Sequence, residues 1–146
     1  GAAGCLWFRG RGGMPMMISA ITTIAILAAT HLTSGDAAKP AGPPRVISTS
    51  PAANRGISAG PISLKVTFDR PMRRDSYSFV YASPETYPDC GRNQPVQSAD
   101  GRTFTLTCSV QSGRSYEVWF NSPAYRNFVD ENGAPATPYR LQFRVK

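Results

Sequence analysis

Four runs of this chain alternate apolar and polar residues with a period of two, and that pattern limits its possible folds more than any other feature. "ISLKVTF" puts Ile62, Leu64, Val66 and Phe68 on one face and Ser63, Lys65 and Thr67 on the other. "FTLTC" repeats this with Phe104, Leu106 and Cys108, "YEVWF" with Tyr116, Val118 and Phe120, and "YRLQFRV" with Tyr139, Leu141, Phe143 and Val145. Successive side chains of a strand point to opposite faces, so runs of this kind are half-buried strands of antiparallel sheets. "RVIST" and "YSFVYA" supply two more. The breaks between them, "SAGP", "DRPM", "SADGR", "SGRS" and "ENGAP", carry the Gly, Pro, Asn and Asp that turns require.

Six or seven short strands separated by turns predict an all-β domain, an antiparallel two-sheet sandwich of the immunoglobulin type with about seven strands. "VQSGRSY" adds a local mark, with Val110, Gly113 and Tyr116 in the order apolar, turn, tyrosine. In such sandwiches a tyrosine at this corner hydrogen-bonds back to upstream backbone, and Tyr116 is the residue expected to do so.

The first part of the chain reads differently. Residues 16–29 are uncharged and almost wholly apolar, Arg9 and Arg11 lie upstream, and Gly35 and Ala37 fit the −3 and −1 positions of a cleavage site. Residues 1–38 are therefore read as a signal peptide with a hydrophobic export helix, or as an uncleaved anchor. The run is short against the roughly 20 residues of a membrane span, though extending it to Leu32 nearly reaches that length. The stretch before Met14 reads as an over-extended start, with Met14 or Met16 as initiator. Residues 39–45, with "PAGPP", are read as a stiff linker, and 46–146 as the sandwich domain. The implied location is outside the cytoplasm, in a periplasm or beyond the cell.

Export changes how the cysteines are read. Without Cys5, two remain, Cys90 and Cys108, and an even pair in an oxidising compartment points to a disulfide, with two buried thiols as the alternative.

Chemistry is limited by what is missing. His31, the only histidine, lies in the export segment, so the mature chain has no Ser-His-Asp or Cys-His machinery and no usual zinc set. The acids sit mostly in turns. The expectation is a protein that is not an enzyme and uses no cofactor. "DENG" offers Asp130 and Asn132 as weak calcium ligands, but Asn132-Gly133 is also what a turn with positive φ demands, and a connector is the favoured reading. The net charge is +7 from 16 Lys and Arg against 9 Asp and Glu, and the arginines are spread singly except for Arg73-Arg74. That describes a solvated basic surface, and no nucleic-acid groove is expected.

Beyond these residues the chain resembles a known family, the bacterial Ig-like domain of the S-layer SbsA type. The likeness runs over 46–146, through "VISTSPAANRGIS", "ISLKVTFDRPM", "DGRTFTLT", "SGRSYEVWF" and the closing "D.NG.P" loop with its "Y.L.F" strand. It departs from the family in Ser112, where proline is usual, and in the Cys90/Cys108 pair. The resemblance implies a fold and an extracytoplasmic setting, and no catalytic residues.

The candidate binding face is aromatic. Trp119 alternates with inward Val118 and Phe120 and is expected outside beside Glu117, with Tyr125, Tyr81, Arg73 and Arg74 near it. The alternative lays Trp119 flat under the loop 121–128. The functional reading is a non-catalytic exported module that binds an envelope protein or glycan. The alternatives are a structural spacer, either touching the membrane through an uncleaved N-terminal helix or forming part of a surface layer, and a basic polyanion or glycan binder using Arg73, Arg74, Arg92, Arg102 and Arg114.

Overall fold

The computed structural model describes residues 40–146, so the expected export helix lies outside the described residues. Eight strands form: β1 (Val46–Ser50), β2 (Gly56–Ile57), β3 (Gly60–Phe68), β4 (Phe79–Tyr81), β5 (Val96–Gln97), β6 (Thr103–Val110), β7 (Ser115–Phe120) and β8 (Tyr139–Val145), with one 3-10 turn at Pro84–Thr86. They make two four-stranded sheets, ordered β1-β3-β6-β5 and β2-β8-β7-β4.

The alternating runs became the four long strands. Their apolar faces meet between the sheets, where Leu64, Val66, Phe104, Val118, Phe120 and Leu141 are fully buried. Phe128, from the loop after β7, fills the end of this core, with its ring 4.9 Å from Phe104 and 5.0 Å from Phe68. Complete burial of one such side chain contributes about 1.5–3 kcal/mol.

Two features differ from an antiparallel sandwich of about seven strands. β5 and β2 are pairs of residues, too short for a period to show. β2 also runs parallel to β8, with Gly56 opposite Arg144 and Ile57 opposite Val145. The cause is a divided edge. β1 pairs antiparallel with β3 in one sheet; after "PAAN" the chain crosses and pairs with β8 in the other, closing that side of the sandwich. The opposite side, between β4 and β5, forms a cleft tied by a covalent clasp and by the Tyr77–Gln94 hydrogen bond. Cys90 and Cys108 form a disulfide, and beside it Asp89 and Ser109 exchange both backbone hydrogen bonds.

Residues 43–45, placed by sequence in a linker, are tied to the domain. Pro44 is buried and its carbonyl accepts from Thr137 N–H, while Asp69 N–H donates to the Arg45 carbonyl, both at 3.0 Å. At the far corner the Tyr116 hydroxyl accepts from the Gln111 backbone N–H at 2.9 Å, and its ring stacks on Phe143.

Candidate binding face

The "DENG" loop is held by its own acid. Asp130 is 1% exposed. Its Oδ1 accepts from the Asn132 and Ala134 N–H groups at 2.9 Å each, and its Oδ2 faces the Arg70 guanidinium at 3.4 Å. Arg70, itself buried, also donates to Asp69 Oδ1 and to the Pro43 carbonyl. Gly133 takes φ +84°, the left-handed conformation the turn requires. Asn132 and Glu131 are exposed. Asp130 thus serves as the internal brace of a connector, and among the described residues no three His, Cys, Asp or Glu side chains gather where a metal ion would bind.

Arg73 and Arg74 lie against this loop rather than beside Trp119. The Arg73 N–H donates to the Val129 carbonyl, and the Arg74 guanidinium donates to the Ala99 carbonyl at 3.0 Å. Both line a shallow pocket of about 250 Å³ with Asp100 and Glu131, whose charges oppose theirs. The sequence reading grouped the two arginines with the aromatics, whereas the fold puts them on separate surfaces.

The three aromatics do come together. Strand pairing sets Val80 of β4 opposite Trp119 of β7, and Trp119 opposite Arg140 of β8, on the outer face of the β2-β8-β7-β4 sheet. Trp119, Tyr81 and Tyr125 line one hollow of about 190 Å³ with Pro123. Tyr81 and Tyr125 are 58% and 60% exposed, and Trp119 is half-buried against the loop, between the two positions weighed from sequence.

The loop that carries Tyr125 is fixed by a buried amide. Asn121, at φ +60°, donates to the Phe128 and Ala136 carbonyls and accepts from the Phe128 N–H at 2.9 Å. Asparagine tolerates this left-handed conformation better than branched residues do. Ser122 and Tyr125 then close a tight turn, the Ser122 N–H donating to the Tyr125 carbonyl at 2.8 Å.

Next to the aromatic hollow, on the same face, lies a polar pocket of about 530 Å³. Its floor is Ser115, Glu117, Gln142 and Arg144, with Asn54 on one wall and the Ser83–Thr86 segment on the other. Burial pushes the Glu117 carboxyl up, but hydrogen bonds from Arg140, Trp119 and Gln142 and the Arg140 charge outweigh it and hold the carboxyl below its usual range. Glu117 is paired with Arg140 and takes a 2.8 Å hydrogen bond from the Gln142 amide. The Arg144 side chain, by contrast, is exposed and makes no hydrogen bond or ion pair among the described residues. Sequence reasoning named neither Glu117 nor Arg144 as a binding residue, although both sit at outward positions of its alternating runs.

Around the edge from Tyr81 a second cleft, of about 550 Å³, opens between β4 and β5. Tyr77, Tyr87, Asn93 and Gln94 line it, and Tyr81 and Tyr125 are shared with the aromatic hollow. Tyr77 donates its hydroxyl to Gln94 Oε1 at 2.6 Å, and burial pushes the Tyr87 phenol up.

Comparison with known proteins places these features. No curated protein matches the sequence. Among solved structures, CopC from Methylosinus trichosporium OB3b is similar in fold, with a TM-score of 0.51 at 20% identity, over 70% of this chain and 93% of that one. The S-layer protein rSbsC(31–844) superposes at a TM-score of 0.45 and 23% identity, over 70% of this chain and 14% of its own. A model of the bacterial Ig-like domain matches residues 40–145, nearly the whole of the described sandwich and its docked Pro43–Arg45 segment. The chain belongs to the bacterial Ig-like domain family.

Proposed function

We propose that this is an exported, non-catalytic Ig-like module of the bacterial envelope, of the S-layer SbsA type, that binds a protein or glycan through the outer face of its β2-β8-β7-β4 sheet. One observation carries the reading: Trp119, Tyr81 and Tyr125, drawn from two strands and a loop, converge on one exposed hollow. Large rigid aromatics presented together at a surface are the usual anchors of recognition, and their loss costs a binding partner dearly. The family and the exported setting read from residues 1–38 support the envelope location. The polyanion reading centred on Arg73 and Arg74 is weaker, because Asp100 and Glu131 share their pocket.

The test is retention of the full chain by native bacterial envelope, compared with Trp119→Ala and Tyr125→Ala. At unchanged melting temperature each substitution is expected to lower retention tenfold or more, the cost of truncating an aromatic anchor. A spacer would be retained equally in all three forms, and that outcome would end the binding reading.

A further inference from the structure

The face with the aromatic hollow also carries an arginine side chain with no acidic partner among the described residues, and the two features together specify a ligand. β8 presents Arg140, Gln142 and Arg144 outward in succession, and the exposed Lys146 follows it. Arg140 is neutralised by Glu117, but Arg144 is free of any partner among the described residues. Neighbouring backbone holds it in place: the Arg144 N–H donates to the Arg55 carbonyl at 3.0 Å, and Lys146, whose N–H donates to the Ile57 carbonyl at 2.9 Å, follows directly after the strand. Gly56, opposite Arg144, has no side chain, and a β-carbon there would meet Lys146 Cε at 3.3 Å.

We infer that this face binds an acidic polysaccharide whose sugar units carry carboxylates, with a ring stacked on the Trp119–Tyr125 hollow and a carboxylate paired with Arg144. The inference rests on the reading that this face is the binding surface. A pyranose ring has flat, apolar C–H faces, which suit the electron-rich face of an indole or phenol. Its edge carries hydroxyls that both donate and accept, and Asn54, Gln142 and Ser115 offer both functions in the pocket between hollow and cations. A guanidinium meets a carboxylate through two parallel hydrogen bonds.

Single-stranded nucleic acid also combines stacking with negative charge. It fits less well, because a DNA strand carries no free sugar hydroxyls to meet Asn54, Ser115 and Gln142 in the adjoining pocket. A surface of anionic lipid supplies charge without flat rings for the hollow.

Affinity electrophoresis of the full chain in gels containing polygalacturonate tests the assignment, with carboxyl-reduced polymer, single-stranded DNA and phosphatidylglycerol vesicles as comparisons. The acidic polymer is expected to retard the chain, and removing its carboxyls to weaken binding at least tenfold. Arg144→Gln, which breaks no hydrogen bond of the fold, is expected to give a similar loss on the acidic polymer and none on the reduced one. Trp119→Ala and the more exposed Tyr125→Ala are expected to weaken both. Equal binding of the reduced polymer, undiminished binding by both aromatic variants, or tighter binding of DNA or vesicles would overturn the inference. Envelope retention separates the two levels. If both aromatic variants lose it and no polyuronate binds, only the glycan assignment fails; if neither loses it, the face itself is wrong.

Discussion

Replacing Asp130 by alanine removes the one carboxylate that joins the "DENG" loop to the buried end of the sandwich. It strips the Asn132 and Ala134 N–H groups of their shared acceptor and leaves Arg70, 4% exposed, without one of its two acidic partners. Breaking a buried ion pair by removing one member costs about 3–5 kcal/mol, because the remaining charge stays desolvated. A domain of this size is stable by only about 5–15 kcal/mol, so the variant should unfold at much lower denaturant. Asp130→Asn keeps an oxygen for the two N–H groups and loses only the charge, so about 1.5–3 kcal/mol is expected, the range for a hydrogen bond to a charged group. Urea unfolding of the full chain, followed by tryptophan fluorescence, measures both. The same titration in millimolar calcium and in EDTA separates a brace from a metal site. A ligand held at a hundred times its dissociation constant would add about 2.7 kcal/mol. The expected midpoint is the same in both. A cost below about 1 kcal/mol for Asp130→Ala, with a midpoint raised by calcium, would refute the reasoning.

The disulfide spans 18 residues, and chain entropy assigns such a loop about 3 kcal/mol; Cys90→Ala/Cys108→Ala should lower the melting temperature accordingly, and thiol reduction should do the same to the parent chain. Tyr116→Phe deletes the acceptor of the Gln111 N–H and should cost about 1 kcal/mol by chemical denaturation; no change would remove the corner's structural role. Glu117 is held below its ordinary value of 4.5. Its ionised form therefore stabilises the fold fully above pH 4.5, and the contribution fades as pH falls through the lower folded value. Glu117→Gln should thus differ from the parent at neutral pH, by up to about 1 kcal/mol for a partly exposed pair, and converge with it in acid, as denaturation at a series of pH values would show.

The long strands were legible because each repeats one physical rule often enough to be seen. β3 carries four inward residues in a row of alternations, and that register leaves little choice of face. β2 and β5 have two residues each and exist only because β8 and β6 offer them an edge. The same limit hid the parallel pairing, since nothing local tells Gly56 that its neighbour is Arg144. Arg70 was read as part of a turn, where a charge is ordinarily solvated. Its burial depends on Asp130, sixty residues away, and on the docking of Pro43. Trp119 could be picked out because it breaks the polar side of an alternating run. Arg73-Arg74 drew notice for being adjacent, yet adjacency along a chain says nothing about which surface receives it, and both arginines fell beside the acidic loop.

A sheet with period-two strands separates two tasks. The inward residues of β7 and β8 fix the sandwich, and the outward residues Glu117, Trp119, Arg140 and Arg144 can change without disturbing a core contact. The loop 121–128 does not allow that separation. Phe128 is part of the core, Asn121 is fully buried between two carbonyls, and Tyr125 between them stands in solvent beside Trp119. An exposed loop held at both ends by buried groups loses little freedom when a ligand settles on it, because folding has already ordered the backbone. The proposed site is therefore pre-formed at its aromatic end, whereas at its other end the exposed Arg144 side chain makes no hydrogen bond or ion pair among the described residues. The glycan proposed above would then be held by one ring at the rigid end and by one carboxylate at the exposed guanidinium.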